Sequence, residues 1–196
     1  MKTITKLGLL GLTLFTTMIA NASEKLNVKI ASEASKILSI SLSEVVSGET
    51  ILIKDLKGEV LFSEKIEATE KYEKVFNFST LPLGVYYIES KDDKKIETTP
   101  ITVSSESISL IENSRKTYLA PEVAIEEGVL RISINNCNKE KVTIALYNEL
   151  GILMDLTEPN TNTLVFGSYE ISEIGSRIIR VSVTEGEHNF TKEYTL

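Results

Sequence analysis

The sequence predicts an all-β protein: two small antiparallel β-sandwich domains in tandem, preceded by a signal peptide. Three observations predict it. Beyond residue 22, short runs of alternating apolar and polar residues recur and helical periodicity is scarce. Turn-forming residues separate these runs at the spacing expected of a sandwich or barrel. The order of runs then repeats, displaced by about 92 positions.

The N-terminus has the three parts of a Sec signal. Lys2 and Lys6 supply its positive charge, and Leu7 to Ile19 supply an apolar stretch too short to cross a bilayer. Ala20-Asn21-Ala22 gives the small-x-small pattern of a cleavage site, which places processing after Ala22. There is no cysteine beside that site for a lipid anchor, and no later apolar run is long enough to span a membrane. The expectation is an exported protein, periplasmic or extracellular and cell-surface.

The exported part opens with Val28-Lys29-Ile30, followed by Ile37 to Leu42, Thr50 to Leu56 and Val60 to Ile66. Val75 to Phe78, Tyr86 to Ile88 and Ile101 to Val103 alternate cleanly, and Ser107 to Ile111 reads as a last strand or an extended tail. Between them stand Ser47-Gly48, Asp55-Leu56-Lys57-Gly58, Asp92-Asp93 and Thr99-Pro100, all ordinary turn sequences.

Val123-Ala124-Ile125 then mirrors Val28-Lys29-Ile30, and Val129 to Ser133 mirrors Ile37 to Ser41. Ile144, Leu146 and Asn148-Glu149-Leu150-Gly151 mirror Ile51, Ile53 and Asp55-Leu56-Lys57-Gly58. Phe78 to Gly84 aligns with Tyr169 to Gly175. Four ordered matches point to duplication. The polar stretch Asn113 to Pro121 marks the boundary, giving a signal at 1–22, a first domain at 23–112, a linker at 113–121 and a second domain at 122–196. Domains this small approach the lower limit at which a core suffices without staples, so contact between them is expected to add stability.

Without Lys2 and Lys6, 19 basic residues face 28 acidic ones, a formal charge of −9. Such a surface repels phosphate backbones, which argues against nucleic acid as a partner. Cys137 is the sole cysteine, so the chain has no internal disulfide; a small apolar or idle thiol role is the ordinary one. With no Trp and 7% aromatics, the cores must be built from Ile, Leu and Val.

The residues that could carry catalytic chemistry are few. His188 is the only histidine and falls in the polar turn Thr184 to Asn189, where a solvated loop residue is expected rather than a positioned base. One His and one Cys do not make a zinc site from nitrogen and sulfur ligands. Asp92-Asp93 and Glu126-Glu127 are adjacent acids, and neighbouring turn residues do not face each other across a cleft as glycosidase carboxylates must. Calcium lacks its D-x-D-x-D-G loop, and the chain carries no glycine-rich phosphate loop. Tyr86 and Tyr87 point to opposite faces of one strand, one toward the core and one outward. No cofactor, metal or catalytic residue is expected.

The most specific local features are two turns. In I-L-I-K-D-L-K-G-E-V-L-F, Asp55 accepts backbone N–H bonds and Gly58 supplies positive φ; Asn148 and Gly151 repeat the arrangement. In F-N-F-S-T-L-P-L-G-V-Y-Y-I a corner closes at Gly84, with Gly175 as its counterpart, although Ser176 and Arg177 follow Gly175 in place of an aromatic. This combination resembles the C-terminal sorting domains of the type IX secretion system of Bacteroidota, over about residues 37 to 103 and again at 129 to 196. The resemblance implies small Ig-like sandwiches with a D-x-x-G hairpin and an L-x-x-G-x-Y corner. Taken with the missing chemistry, it leads to three expectations. The first is an exported, non-enzymatic binding or structural protein that meets a protein or glycan, with edge-strand pairing as one mechanism. The second is a type IX cargo whose C-terminal domain is the sorting signal. The third is a small carboxylate-dependent hydrolase.

Overall fold

The computed structural model describes residues 26–67 and 69–196; the signal expected at 1–22 lies outside them. The first half of the chain forms β1 (Leu26–Ser32), β2 (Ile37–Val45), β3 (Thr50–Asp55), β4 (Val60–Lys65), β5 (Thr69–Asn77), β6 (Gly84–Lys91), β7 (Lys95–Val103), β8 (Ile108–Leu110) and β9 (Lys116–Leu119). The second forms β10 (Glu122–Glu126), β11 (Val129–Asn135), β12 (Val142–Asn148), β13 (Leu153–Leu156), β14 (Leu164–Glu170), the single-turn helix α1 (Ile171–Ile174), β15 (Ile178–Glu185) and β16 (His188–Thr195).

The fold is Ig-like and almost entirely β, with every strand pair antiparallel. Three-stranded sheet β1-β2-β5 accompanies sheet β4-β3-β6-β7, whose far edge is extended by β8 and β9. Sheet β10-β11-β14 accompanies sheet β13-β12-β15-β16, the same order again. Alternation places Leu38, Ile40 and Leu42 of β2 on one inner face and Ile51, Ile53, Tyr86, Ile88 and Ile101 on the other, all buried in one cluster. A second cluster joins Leu130, Ile132 and Ile134 of β11 to Ile144, Leu146, Ile179, Val181 and Val183. Each fully buried aliphatic side chain of this kind contributes about 1.5–3 kcal/mol relative to exposure.

Strand register corrects one detail of the repeat. Asp55 pairs with Tyr86, and Asn148 pairs with Ile179, so Tyr86 corresponds to Ile179. The N–H of Phe78 bonds to the carbonyl of Lys36, as the N–H of Ile171 bonds to that of Gly128, both at 2.9 Å. Phe78 therefore corresponds to Ile171, and the alignment of Phe78–Gly84 with Tyr169–Gly175 is two residues out of step. Gly84 opens β6, whereas Gly175 ends α1 in the left-handed region at φ 66°. Both glycines sit at the same corner of the sandwich, doing different things there.

The expected linker, 113–121, is not simply a connector. Residues Lys116–Leu119 are β9, which continues the first half's sheet by pairing with Lys95–Thr98 of β7 while β8 pairs with Ile101–Val103. Pro100 falls between these two ladders, the kind of interruption where a residue without N–H is accommodated. Tyr118 drives the arrangement: it lies opposite Ile96 and is buried with it against Phe190 and Ala120.

If the two aliphatic clusters are separate cores, Ile40→Ala and Ile132→Ala each cost about 2–5 kcal/mol. In differential scanning calorimetry each substitution is expected to lower a different one of two overlapping unfolding transitions. A single transition lowered equally by both would show one cooperative unit.

Candidate functional site

Both short turns are built from the same few bonds. Oδ1 of Asp55 accepts from the N–H groups of Lys57 and Glu59, each at 2.9 Å, and the carbonyl of Asp55 accepts from Gly58 N–H. Oδ1 of Asn148 accepts from Leu150 and Ile152 at 3.0 and 2.9 Å, and its carbonyl accepts from Gly151 N–H. An amide oxygen replaces a carboxylate oxygen without loss of the bonding pattern. Gly58 and Gly151 lie at φ 81° and 76°, where a side chain is disfavoured. At the first corner, Tyr86 Oη donates to the carbonyl of Pro82 at 2.6 Å while its ring packs edge-on against Phe78. This is the geometry of a tyrosine corner. Its counterpart Ile179 has no hydroxyl, and the one-turn helix takes over the bend.

The most unusual chemistry lies elsewhere, where the outer face of sheet β3-β6-β7-β9 meets the β15–β16 hairpin. Glu89, Thr98 and Lys116 sit side by side across β6, β7 and β9. On an isolated sandwich this face would be open to water, yet Glu89 and Thr98 are buried. His188 covers them. Its Nε2 is 3.0 Å from Glu89 Oε1, its ring stacks on Tyr118 at 3.9 Å, and its side chain is only 11% exposed. The expectation of a solvated loop histidine is thus corrected: His188 opens β16, and the junction encloses it. Lys54 Nζ donates to the other Glu89 oxygen at 2.5 Å. Burial alone would push the Glu89 carboxyl up; hydrogen bonds from His188 and Lys54 outweigh it and hold it below the usual value.

Around this centre, Asn138 Nδ2 donates to the Thr117 carbonyl at 2.8 Å, and Lys116 Nζ pairs with Glu140 at 2.5 Å. Glu185 stands directly opposite His188 in the β15–β16 ladder and is 1% exposed, with burial pushing its carboxyl up. Among the described residues, three buried side-chain atoms have no hydrogen-bond partner: Thr98 Oγ1, Glu185 Oε2 and His188 Nδ1. All three belong to this junction. A crevice of about 760 Å³ opens beside it, with Lys54, Tyr87, Glu89, Thr98, Tyr118 and His188 in its wall. Of the two neighbouring tyrosines, Tyr86 is core and Tyr87 is the half-buried one facing this crevice.

The remaining candidates are dispersed. Asp92 Oδ1 accepts from Lys94 and Lys95 N–H at 2.7 Å, an Asx turn, with Asp93 exposed beside it. Glu126 lies 3.8 Å from Arg131, and Glu127 takes the turn at φ 49°. Cys137 is exposed and donates to Asn135 Oδ1 at 3.2 Å. Among the described residues no group of three or more His, Cys, Asp or Glu is placed to hold a metal ion, and no helix is long and apolar enough to cross a membrane.

The fold and its turns define a class, the small Ig-like β-sandwich with a hydrogen-bonded D-x-x-G hairpin and, in the first half, a tyrosine corner. Within that class, residues 25–104 match the family described as the secretion system C-terminal sorting domain. The matched stretch carries Asp55, Gly58, Gly84 and Tyr86 and ends just after β7. No curated protein matches the chain. Among solved structures it is similar to the BSP domain of a biofilm-associated protein, at 10% identity and a TM-score of 0.29, covering 86% of this chain and 29% of that one. It is also similar to native alpha-2-macroglobulin from Escherichia coli spanning domains MG0-NIE-MG1, at 10% identity and 0.28, covering 88% of this chain and 64% of that one. The chain therefore spans less than two thirds of either.

Two substitutions test the turn chemistry. Tyr86→Phe removes the hydroxyl and leaves the ring packed, which is expected to cost about 0.5–1.5 kcal/mol in urea unfolding. Gly58→Ala is expected to cost about 1–2 kcal/mol through backbone conformation, because nothing lies within 4 Å of the added methyl. A wild-type midpoint for either would remove that residue from the account.

Proposed function

We propose that the protein is an exported, non-enzymatic cargo of the type IX secretion pathway, carrying two modules of the sorting-domain kind. The observation that carries this reading is the family match at residues 25–104, set beside the identical strand order at residues 122–196. On this reading residues 122–196 are the sorting signal, and the protein's destination is the cell surface. The D-x-x-G turn supports it further, since Asn148 and Gly151 reproduce the bonds of Asp55 and Gly58 in the half outside the family match.

A second reading, an exported binding module, draws on the edge of the second half. All four residues of edge strand β13 are exposed, Leu156 at 56%, and Phe166 on neighbouring edge strand β14 is 67% exposed. The equivalent edge in the first half carries more side-chain contacts: Phe62 and Phe76 stack edge-on, Lys74 sits over Phe62, and Glu64 accepts from Tyr72 and Lys74, while Val60 and Leu61 remain exposed. An exposed strand edge whose residues are mostly apolar, with Asp155 its one charge, offers main-chain groups to a partner strand. The hydrolase reading has least behind it, with the Asp92 carboxylate engaged in its own turn.

The deciding experiment fuses residues 122–196 to a periplasmic reporter in a type IX-competent host and in one lacking the translocon. Surface or medium localisation in the first host and periplasmic retention in the second is the expected result. A reporter that stays in the periplasm of both hosts, while circular dichroism shows the fused module folded, sinks the assignment of the signal to this half.

A further inference from the structure

We propose that contact between the two halves is proton-linked: the Glu185–His188 pair holds one proton while the β15–β16 hairpin is docked on the first half's sheet, and releases it when they part. The inference goes beyond the sorting role and does not rest on it.

Glu89 from β6 and Glu185 from β15 bring two carboxylates into the junction, both nearly inaccessible to water. Lys54 from β3 is the cation bonded to Glu89. At the margin, Lys116 from β9 and Glu140 from the loop before β12 cancel one another. Glu187 in the hairpin turn is exposed and stands outside this interior. The interior is therefore one positive charge short, and an uncompensated buried charge is costly. One proton on the pair removes the deficit, whichever partner carries it.

The geometry provides a place for that proton. Glu185 and His188 are directly opposed across the hairpin, so their side chains emerge on the same face. Each keeps one buried polar atom without a partner, an acceptor oxygen on Glu185 and a ring nitrogen on His188. The other ring nitrogen is already on Glu89, and the ring is held flat against Tyr118. A proton on Glu185 neutralises the charge on the orphaned oxygen. Separation of the halves returns both groups to water, where neither needs it.

The direction in pH follows. Burial raises the Glu185 carboxyl and Glu140 adds to the rise; together they outweigh Asn138, His188 and Lys116, which lower it, so the docked state binds the proton more tightly than the undocked one. Its contribution is complete in acid below the ordinary glutamate range and fades as pH climbs through the raised value. Glu89 sets the opposite limit. Its depressed titration means that docking also weakens in strong acid, once that carboxylate is protonated. Docking is strongest between the two.

Small-angle scattering of the exported chain from about pH 5 to about pH 9 reads the separation directly. The expected result is a maximum dimension that grows toward the alkaline end. Glu185→Gln keeps the shape without the charge and is expected to hold the compact dimension throughout. A wild-type dimension that does not change with pH while circular dichroism reports an intact fold overturns the proposal. So does a Glu185→Gln protein that keeps the wild-type response.

Discussion

Two faces of aliphatic side chains, pressed together between hydrogen-bonded sheets, set every other feature of this molecule. Leu38, Ile40 and Leu42 can leave water together only if β2 is straight, alternating and opposed by another sheet. Once Ile51, Ile53 and Ile88 supply that second face, the positions between them are forced outward, and the turns must reverse the chain within three or four residues. The Asp55 and Asn148 turns meet that demand with a side-chain oxygen that takes two backbone N–H groups and a glycine that takes the positive φ. Packing dictates where the chain reverses, and turn chemistry dictates how.

The two halves share one strand order, and setting them side by side shows which parts of the design tolerate change. The buried set is nearly interchangeable: Leu38, Ile40 and Leu42 against Leu130, Ile132 and Ile134, Ile51 and Ile53 against Ile144 and Leu146. The corner is not. A tyrosine hydroxyl secures it once, to the carbonyl of Pro82, whereas a single helical turn ending at Gly175 forms it the second time. Either device leads the chain from one sheet to the other in the same number of residues, which is why strand registers agree so closely on both sides of it.

Much of this is legible in the residues themselves, because alternation with period two is a direct record of a sheet with one buried face. Val28, Ile40 and Ile132 could be assigned inward from their neighbours alone. The corner alignment failed for a definable reason: Gly84 and Gly175 look equivalent as letters, while the register is fixed by β-ladder bonds that the letters do not display. Lys116-Thr117-Tyr118-Leu119 is too short and too polar to announce a strand. Its pairing depends on Ile96 and Phe190, which are distant in the chain. His188 was hidden for the same reason. A polar hairpin turn reads as solvated, and nothing local reveals that a second sheet lies across it.

That hidden surface is where the two halves stop being copies. The outward faces of two identical sandwiches would both be wet, and residues placed there answer only to solubility. Here one such face carries Glu89 and Thr98 and is closed by the hairpin of the other half, so polar side chains that would need no partner in water must find one. Glu89 succeeds, with Lys54 and His188; Thr98 Oγ1, Glu185 Oε2 and His188 Nδ1 do not. An apolar patch would have joined the halves more cheaply, as Ile96, Tyr118 and Phe190 do a few ångströms away. A polar contact with unfilled bonding capacity is less stable than that alternative but responsive to protons, and the difference between the two kinds of contact is what separates a fixed joint from one whose closure depends on conditions.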